Sequence, residues 1–479
     1  MELLNIYTLK QLLAAVTISA AVTGCMVGPN IEKPVVNASE QFRFDSIPDD
    51  TMVNLEWWEM FNDPDLDTLI HLALEYNQDI LIAVSRIEQA YAALGVSKAD
   101  LFPQFGYDAS VTYGKPDPSG VSTADGARFV VTPSVYWELD FWGRVRRANE
   151  AARAEILASE EALKYVQVGL ITAVADGYFQ LLDFDKRLEI SRRTWETRKQ
   201  SLWIIEQRFE KGIVPEIDLN QAQQQEAIAA AAIPGYARYV ARTENWLSIL
   251  IGQNPRNIKR GYLDNQVVPP DIPVGLPSEL LTRRPDVLQA EQQLYAETAM
   301  IGVAQAMRFP SFSITGALGV ASSDLSSLVT GDALIYNVGG SILGPIFNWG
   351  RNKRRVEIQK EMAKQALYNY EKAVLNAFRE VDDALVDVHT YNSELAARER
   401  QKVAAVNAAR LSRARYDGGQ TAYLEVLETE RSMFSAELEA SATKGYYLAS
   451  YIYLYKALGG GWISVEQKQE QSDQVADQR

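Results

Sequence analysis

Residues 105 to 113 read Phe-Gly-Tyr-Asp-Ala-Ser-Val-Thr-Tyr, and apolar and polar side chains alternate along this stretch. A strict period of two predicts a β-strand with one apolar and one polar face. The apolar face carries Phe105, Tyr107, Ala109, Val111 and Tyr113, and the polar face carries Asp108, Ser110 and Thr112.

Three further stretches alternate in the same way, which predicts four strands of roughly ten residues each. Strands of this length, with aromatic residues near their ends, suit a tilted strand in a membrane, although a hairpin packed on a soluble core would also alternate. Their apolar positions are Phe129, Val131, Val135 and Trp137, then Phe312, Ile314, Leu318 and Val320, then Tyr336, Val338 and Ile342.

The strands belong to an internal repeat with one constant offset of 207 residues. Rare residue types coincide in a single register without a gap, which indicates a duplicated structure. The matched pairs are Asp79 with Asp286, Gly95 with Gly302, Phe102-Pro103 with Phe309-Pro310, Trp142-Gly143-Arg144 with Trp349-Gly350-Arg351, Arg208 with Arg415, Gly212 with Gly419, and Gly252 with Gly459.

Each copy continues into a long stretch without proline, residues 144–211 and 351–417, rich in strong helix formers. A continuous helix of this size would extend ~100 Å. Apolar residues recur every seven positions and predict a coiled-coil seam with the return helices that begin near Leu219 and Val426. We expect Pro234-Gly235 to break the first return helix. The seam comprises Leu181, Leu188, Trp195, Leu202 and Phe209.

The N-terminus has the layout of a secretory signal, with Lys10, an apolar stretch and then Val22-Thr23-Gly24-Cys25. Cys25 is the chain's single cysteine and follows small residues, as in the lipobox of bacterial lipoproteins. The sequence therefore predicts a lipid anchor at Cys25, and Met26 after it favours sorting to the outer membrane. No later apolar run is expected to be long enough for a membrane-spanning helix, so a membrane crossing would use strands.

Composition excludes several classes of function. A formal net charge of −15 would repel nucleic acid, so no nucleic-acid partner is expected. Only His71, His389 and Cys25 could serve as soft ligands or strong bases, so we expect no catalytic site, no cofactor and no metal site.

Four strands cannot close a barrel, and open edges are forbidden in hydrocarbon because every backbone amide must be paired there. Two subunits would give eight strands with a filled interior, whereas three would give twelve strands and a lumen. A conduit therefore needs at least three subunits. The inward face would be small and polar, which suits a wet lumen: Ser110, Thr112, Ser313, Thr315, Ala317 and Gly319.

Several motifs follow one another in a fixed order along the chain. They are Cys25, Trp57-Trp58 with Phe61-Asn62-Asp63-Pro64, Leu139-Asp140-Phe141-Trp142-Gly143-Arg144, Arg208-Phe209-x-x-Gly212, Arg283-Arg284-Pro285-Asp286-Val287 and Arg415-Tyr416-x-x-Gly419. In this order the chain resembles the TolC-like outer-membrane efflux proteins, and among them the lipoprotein channels of drug-efflux systems. The resemblance covers nearly the whole mature chain.

The resemblance implies an α+β homotrimer. Three subunits of four strands each would share a 12-stranded transmembrane β-barrel in outer-membrane lipid, continuing into a periplasmic α-helical coiled-coil barrel. Its partners would be a periplasmic membrane-fusion (adaptor) protein and an inner-membrane RND-type transporter. The implied function is a passive, gated exit route for drugs and other small toxic compounds, with no enzymatic step.

The resemblance also implies a periplasmic gate at the turns that follow Phe209 and Tyr416. The family's best-known gate corresponds here to acidic rings at Glu425 and Glu428, a tyrosine at Tyr416 and an outer-helix acid at Asp218. Carboxylates gathered around a narrow axis would favour cations and divalent-ion block.

The sequence departs from that gate at Thr421, where the archetype has an arginine. Asp417 could instead pair with Arg413, or with Arg208 on the other hairpin, and the sequence does not choose between these pairings. In a simpler interpretation, Asp417, Glu425 and Glu428 are solvated charges on a helix surface.

The domain organisation follows from the repeat. We expect a signal peptide (1–24), an extended, lipid-anchored N-terminal segment of an equatorial region (25–61), repeat 1 (62–252), an equatorial linker (253–283), repeat 2 (284–459) and a flexible tail (460–479).

Alternatives of two kinds stay open. The same architecture could serve metal-cation efflux or type I protein secretion. A lipid-tethered periplasmic coiled-coil scaffold, whose hairpins never enter a membrane, belongs to a different class. An envelope hydrolase lacks a nucleophile, base and metal constellation.

Overall fold

The computed structural model describes residues 26–30, 32–34, 56–114, 126–269 and 281–460. The predicted signal peptide, the lipid anchor at Cys25, most of the predicted N-terminal segment and the tail beyond residue 460 lie outside these ranges. The chain folds as two compact units. Unit 1 holds residues 1–35, 86–160 and 289–371, and unit 2 holds residues 36–85, 161–288 and 372–479.

Long helices and four strands make up most of the described chain. The helices are α1 (Pro64–Tyr76), α2 (Gln78–Ala99), α3 (Arg144–Glu210), α4 (Glu216–Leu250), α5 (Pro285–Ala306), α6 (Arg351–Asp417) and α7 (Tyr423–Ala457). The strands are β1 (Gln104–Gly114), β2 (Gly126–Leu139), β3 (Ser311–Ser322) and β4 (Leu334–Leu343). Short 3-10 turns lie at Trp57–Phe61, Leu263–Asn265, Leu325–Val329 and Gly331–Ala333.

The duplication is visible in the helix lengths. Both α3 and α6 have 67 residues, both α4 and α7 have 35, and both α2 and α5 have 22. The members of each pair begin 207 positions apart, which is the offset seen in the sequence.

The expectation that Pro234-Gly235 breaks the first return helix is wrong. Helix α4 runs from Glu216 to Leu250 with Pro234 inside it. Proline removes one intrahelical hydrogen bond, yet the helix continues in the same direction because its segments before and after Pro234 are both packed against other helices. Ala222 and Ala229 are buried before it, and Leu247 is buried after it.

One helical stretch contradicts the expectation that no later segment is apolar and long enough to span a membrane. By length and composition, the stretch Pro64–Ala99 qualifies, with a mean hydropathy of 1.2. A single helical stretch of this kind is weak evidence, because core helices of soluble proteins share its composition. Asn77 interrupts it: its extended backbone ends α1, and its side chain donates to the Leu250 carbonyl at 2.8 Å.

The four strands form one antiparallel sheet in the order β1-β2-β3-β4. Directly opposite residues in such a sheet point to the same face, so the register tests the predicted alternation. Phe105 lies opposite Val135, Trp137 opposite Ile314, and Leu318 opposite Tyr336. All four predicted apolar faces therefore join into one continuous face of the sheet.

The opposite face of the sheet is polar, as predicted. Asp108 lies opposite Thr132, and Ser313 and Ser341 share a hydrogen bond of 2.7 Å between their hydroxyl groups. Gly319 allows β2 and β3 to approach closely here, since a β-carbon at that position would lie 2.2 Å from the Val131 carbonyl oxygen.

Unit 2 has an aromatic core built around the Trp57–Phe61 turn. Trp57 stacks on Tyr455 with ring centroids 5.2 Å apart, and both side chains are fully buried. Beside them, Tyr178 donates a hydrogen bond of 2.6 Å to Asp63, whose other oxygen caps α1. Burial and this acceptor raise the pKa of the Tyr178 hydroxyl. The Trp-Trp and Asn-Asp-Pro motifs are thus structural.

The heptad seam of α3 is only partly apolar. Leu181 and Leu188 are buried, and Leu202 and Leu219, from the two helices of the hairpin, pack against the same buried cluster. Trp195 instead donates from its indole nitrogen to Glu226 of α4 at 2.5 Å. The hairpin therefore combines coiled-coil packing with polar contacts between its two helices.

Candidate functional site

The two helical hairpins end in turns of the same design. After α3, the Ile213 amide donates to the Arg208 carbonyl at 2.9 Å and the Gly212 amide to Phe209 at 2.8 Å. This is a Schellman motif, and Gly212 has the positive φ of 63° that the motif needs. Gly419 repeats the pattern after α6, with a φ of 72°. The turns lie where the sequence placed them.

An apolar cluster packs the two turns against each other. Ile205 and Ala222 of the first hairpin contact Tyr423, Val426 and Leu427 of the second. All five side chains are buried in the single chain. The charged residues around this cluster are therefore held in defined positions, because their helices cannot shift independently.

Arg208 and Tyr416 form a cation–π contact between the hairpins. The Arg208 guanidinium lies 4.9 Å from the centre of the Tyr416 ring, and Tyr416 also packs on Tyr423 at 5.3 Å. Such a contact contributes about 0.5–1 kcal/mol where it is exposed and more where water is excluded. Arg208 is thus engaged with an aromatic ring.

Asp417 pairs with Arg413, which decides between the two options left open by the sequence. The Arg413 Nε lies 3.7 Å from an Asp417 oxygen, one helical turn away. Arg413 also donates to the Ser201 hydroxyl of the other hairpin at 2.8 Å and lies 3.7 Å from Glu430. One arginine therefore connects α6, α7 and α3.

Glu425 is neutralised within its own hairpin. Arg415 donates to one of its oxygens at 2.8 Å, and the Thr421 hydroxyl donates to the other. Thr421, which stands in place of the archetypal arginine, therefore still binds the acidic group, while Arg415 supplies the positive charge. Glu428 is more exposed and pairs with Arg431 at 2.7 Å.

Burial changes the acid–base behaviour of this region. Burial raises the pKa of the Asp218 carboxyl and, against the opposing effect of Arg413 and Arg198, raises the pKa of Glu430. Burial lowers the pKa of the Arg198 guanidinium, which lies 5.0 Å above the Phe434 ring. Burial raises the pKa of the Tyr423 hydroxyl, and the negative charge of Asp218 adds to this rise, so Asp218 acts electrostatically on the turn region.

Sequence reasoning missed Ser201, Arg415 and Glu430. Arg415 and Glu425 are ten residues apart along the chain, and only the turn brings them together. Arg415 lies in the last turn of α6 and Glu425 in the first turn of α7, so a chain reversal at Gly419 brings them close together. Ser201 and Glu430 had no such signal, because their contacts depend on how two hairpins pack.

A duplicated chain with a four-stranded sheet, one continuous apolar sheet face and paired long helices defines the class of outer-membrane channel subunits. The chain belongs to the outer membrane efflux protein family, whose model matches residues 69–253 and 276–460. The two matched stretches are offset by 207 residues at both ends, which confirms the duplication.

Curated relatives are similar along most of the chain. The cation efflux system protein CusC of Escherichia coli O157:H7 is 32% identical over 453 residues, covering 93% of this chain and 97% of CusC. The solvent efflux pump outer membrane protein SrpC of Pseudomonas putida is 35% identical over 409 residues, covering 84% and 87%.

Solved structures agree with the family. The outer-membrane channel OprN superposes with a TM-score of 0.85 at 32% identity, covering 91% of this chain and 100% of OprN. The Campylobacter jejuni CmeC outer membrane channel gives a TM-score of 0.85 at 27% identity, covering 94% and 98%. The protein is therefore an efflux channel of the outer membrane, in a family of transport proteins.

Proposed function

We propose that this chain is the passive, gated exit subunit of a tripartite pump that exports drugs and other small toxic compounds. The observation that carries the proposal is the sheet, whose apolar face is fully exposed on its outer strands and nowhere fully buried in the single chain. Tyr107 and Val338, on its first and last strands, are each 84% exposed. A face of this kind needs hydrocarbon around it.

The edges of the sheet support a shared barrel. In the described ranges, β1 pairs only with β2, and β4 pairs only with β3. Backbone groups on both outer edges would be unpaired in lipid, so β4 of one subunit must pair with β1 of the next. Three copies give twelve strands and an open lumen, whereas two copies give a filled barrel. We therefore propose a homotrimer.

The proposal also assigns a role to each segment of the chain. Residues 1–24 are the signal peptide, Cys25 carries the lipid that anchors the 25–61 segment, and 460–479 form the C-terminal tail. Residues 62–252 and 284–459 are the two repeats, joined by 253–283. The paired turns face the periplasm and dock the adaptor protein and an RND-type transporter. The subunit itself performs no chemical step.

The gate is formed by the six candidate residues at the turns. Arg208 on Tyr416 and Arg413 on Ser201 join the two hairpins, Arg413 also pairs with Asp417 on its own helix, and Asp218 adds negative charge nearby. Glu425 and Glu428 of three subunits would surround the axis. Because Arg415 and Arg431 partly neutralise them, we expect modest rather than strong cation selectivity.

Ion conductance of the purified, lipid-reconstituted protein tests the pore and the gate together. The wild type is compared with Glu425→Ala plus Glu428→Ala. Cation-selective steps that change in the double variant support both parts of the proposal. If the wild type and the double variant conduct alike, the protein is a channel, but Glu425 and Glu428 are not part of its gate. If neither protein conducts, even after Tyr416→Ala and Asp417→Ala loosen the turns, the scaffold interpretation replaces the channel.

Metal-cation export is the second candidate, because CusC is similar over nearly the full length of both chains. Growth of a deletion strain separates the two cargoes. Sensitivity to lipophilic drugs that the wild-type gene restores supports small-molecule export, and sensitivity to metal salts alone supports cation export.

A further inference from the structure

The first described residues are held tightly in unit 1. The Val27 amide donates to the Trp142 carbonyl at 3.1 Å, which aligns this segment with the turn between β2 and α3. Met26 covers Gly143 so closely that a β-carbon there would lie 2.5 Å from the Met26 Cγ. The described chain therefore begins beside this turn.

A buried arginine fixes the rest of the segment. Arg147, 2% exposed, donates to the carbonyls of Val27 and Gly28 at 3.2 and 3.3 Å and to the Asn30 side chain at 3.1 Å. Gly28 has a φ of 112° and touches Gly302 of α5, where a β-carbon on Gly28 would lie 2.5 Å from the Gly302 Cα. The segment has one defined position.

An open cavity of about 410 Å³ lies at the same turn, below the end of the sheet. Its aromatic wall is ordered: the Trp142 ring stacks on Phe309 at 4.5 Å, and the Trp142 indole nitrogen donates to the Pro310 carbonyl at 2.8 Å. Met307 and Leu343 add aliphatic surface. Aromatic residues at this level of a membrane protein suit the lipid–water boundary.

Both carboxylates that line the cavity are already paired with arginines. Glu138 pairs with Arg144 at 3.1 Å, and Asp140 pairs with Arg146 at 3.3 Å. The Arg355 side chain donates to Asn352 at 3.3 Å. The lining therefore combines aromatic and aliphatic surface with one cation, Arg355, that is held by an amide oxygen, and a hydrocarbon chain can lie along the apolar wall.

We propose that this cavity receives a fatty acyl chain of the lipid carried by Cys25. The inference rests on the proposed lipidation of Cys25. The occupant follows from where the described chain begins, because Met26 is fixed against Gly143 and its neighbour's lipid must start beside Trp142. Docking one acyl chain there secures the anchor to the base of the sheet, while the remaining lipid stays in the membrane.

The experiment uses the full-length protein from cells fed a diazirine-bearing fatty acid, irradiated and then mapped by peptide mass spectrometry. We expect cross-links from the Cys25 lipid to peptides that contain Trp142 and Phe309. Met307→Trp fills the cavity and should reduce these cross-links at least fivefold. Met362→Trp is the matched control, since Met362 is 41% exposed and Met307 is 38% exposed, and it should leave them unchanged.

Each of the other possible outcomes contradicts one part of the proposal. Cross-links from the Cys25 lipid to membrane phospholipid alone, or equal yields in both variants, reject the cavity. A protein secreted with Cys25→Ser and a non-lipoprotein signal, if it still cross-links free phospholipid there, shows a general lipid site instead. An intact mass without acyl groups rejects the lipidation itself, whereas the channel is judged separately by conductance.

Discussion

Arg413 donates a 2.8 Å hydrogen bond to Ser201, and this bond joins the second helical hairpin to the first. The Ser201 hydroxyl in turn donates to the Thr197 carbonyl one turn back on α3, at 3.1 Å. Ser201 is buried, so the bond is protected from competing water. Substituting its two residues therefore tests what holds the two turns together.

We expect Arg413→Ala to loosen the turns and to raise the open probability of the reconstituted channel. Hydrogen bonds to a charged group contribute about 1.5–3 kcal/mol, and about 1.4 kcal/mol is a tenfold change in an equilibrium. Single-channel recording measures the effect. Ser201→Ala should give a smaller rise, and combining both substitutions should add little. Fully additive effects would show that the two residues act independently.

Arg415→Ala should increase the preference of the channel for cations. Removing the guanidinium leaves Glu425 with Thr421 as its hydroxyl donor and no positive charge at 2.8 Å. Reversal potentials in a salt gradient measure the selectivity. Arg415→Ala combined with Glu425→Gln should return towards the wild type, and an unchanged reversal potential in Arg415→Ala would place Glu425 away from the ion path.

Glu430→Gln should flatten the pH dependence of thermal stability. Burial raises the pKa of Glu430 above its ordinary value near 4.5, so the folded state binds the proton more tightly than the unfolded chain does. Stability from this group is therefore present at low pH and is lost as the pH rises through the folded pKa. Melting temperatures across that window are compared with those of Glu428→Gln, an exposed control that should keep the wild-type slope.

Gly302→Ala and Gly95→Ala should have opposite effects on stability, although they are equivalent positions of the repeat. A β-carbon at Gly302 would lie 2.7 Å from the Val27 carbonyl oxygen, whereas one at Gly95 meets no atom within 4 Å. We expect a loss of about 1–3 kcal/mol at 302 from overpacking and a gain of up to about 1 kcal/mol at 95 from helix propensity. Melting curves measure both, and protease cleavage near residue 26 should increase only for Gly302→Ala.

Much of the fold could be predicted because its signals are local. The alternation at Phe105–Tyr113 and the absence of proline in residues 144–211 directly specify a strand and a long helix. The 207-residue offset then transferred each prediction to the second copy. Pro234 was misjudged because buried residues before and after it, among them Ala229 and Leu247, anchor the helix and offset a local penalty that sequence alone cannot weigh against packing.

The candidate site was predicted only in part. The glycines at 212 and 419 located the turns, since a helix that ends with a positive φ needs glycine there. The partners of Asp417 and Glu425 could not be read from the sequence, because several opposite charges lie within reach of each in a single turn. The partner of Arg208 is a ring on the other hairpin, and its contact depends on how the two hairpins pack.

The sequence by itself determined the duplication, the two-faced strands, the long helices and the positions of the turns, since these follow from the periodicity and propensity of neighbouring residues. Only the tertiary structure decided that Asp417 pairs with Arg413, that Arg208 stacks on Tyr416, and that Met26 is fixed beside Trp142. The last two contacts join residues far apart along the chain, and their geometry depends on how whole helices pack. Asp417 and Arg413 are one helical turn apart, but their pairing is settled only because the Tyr416 ring holds the alternative partner, Arg208.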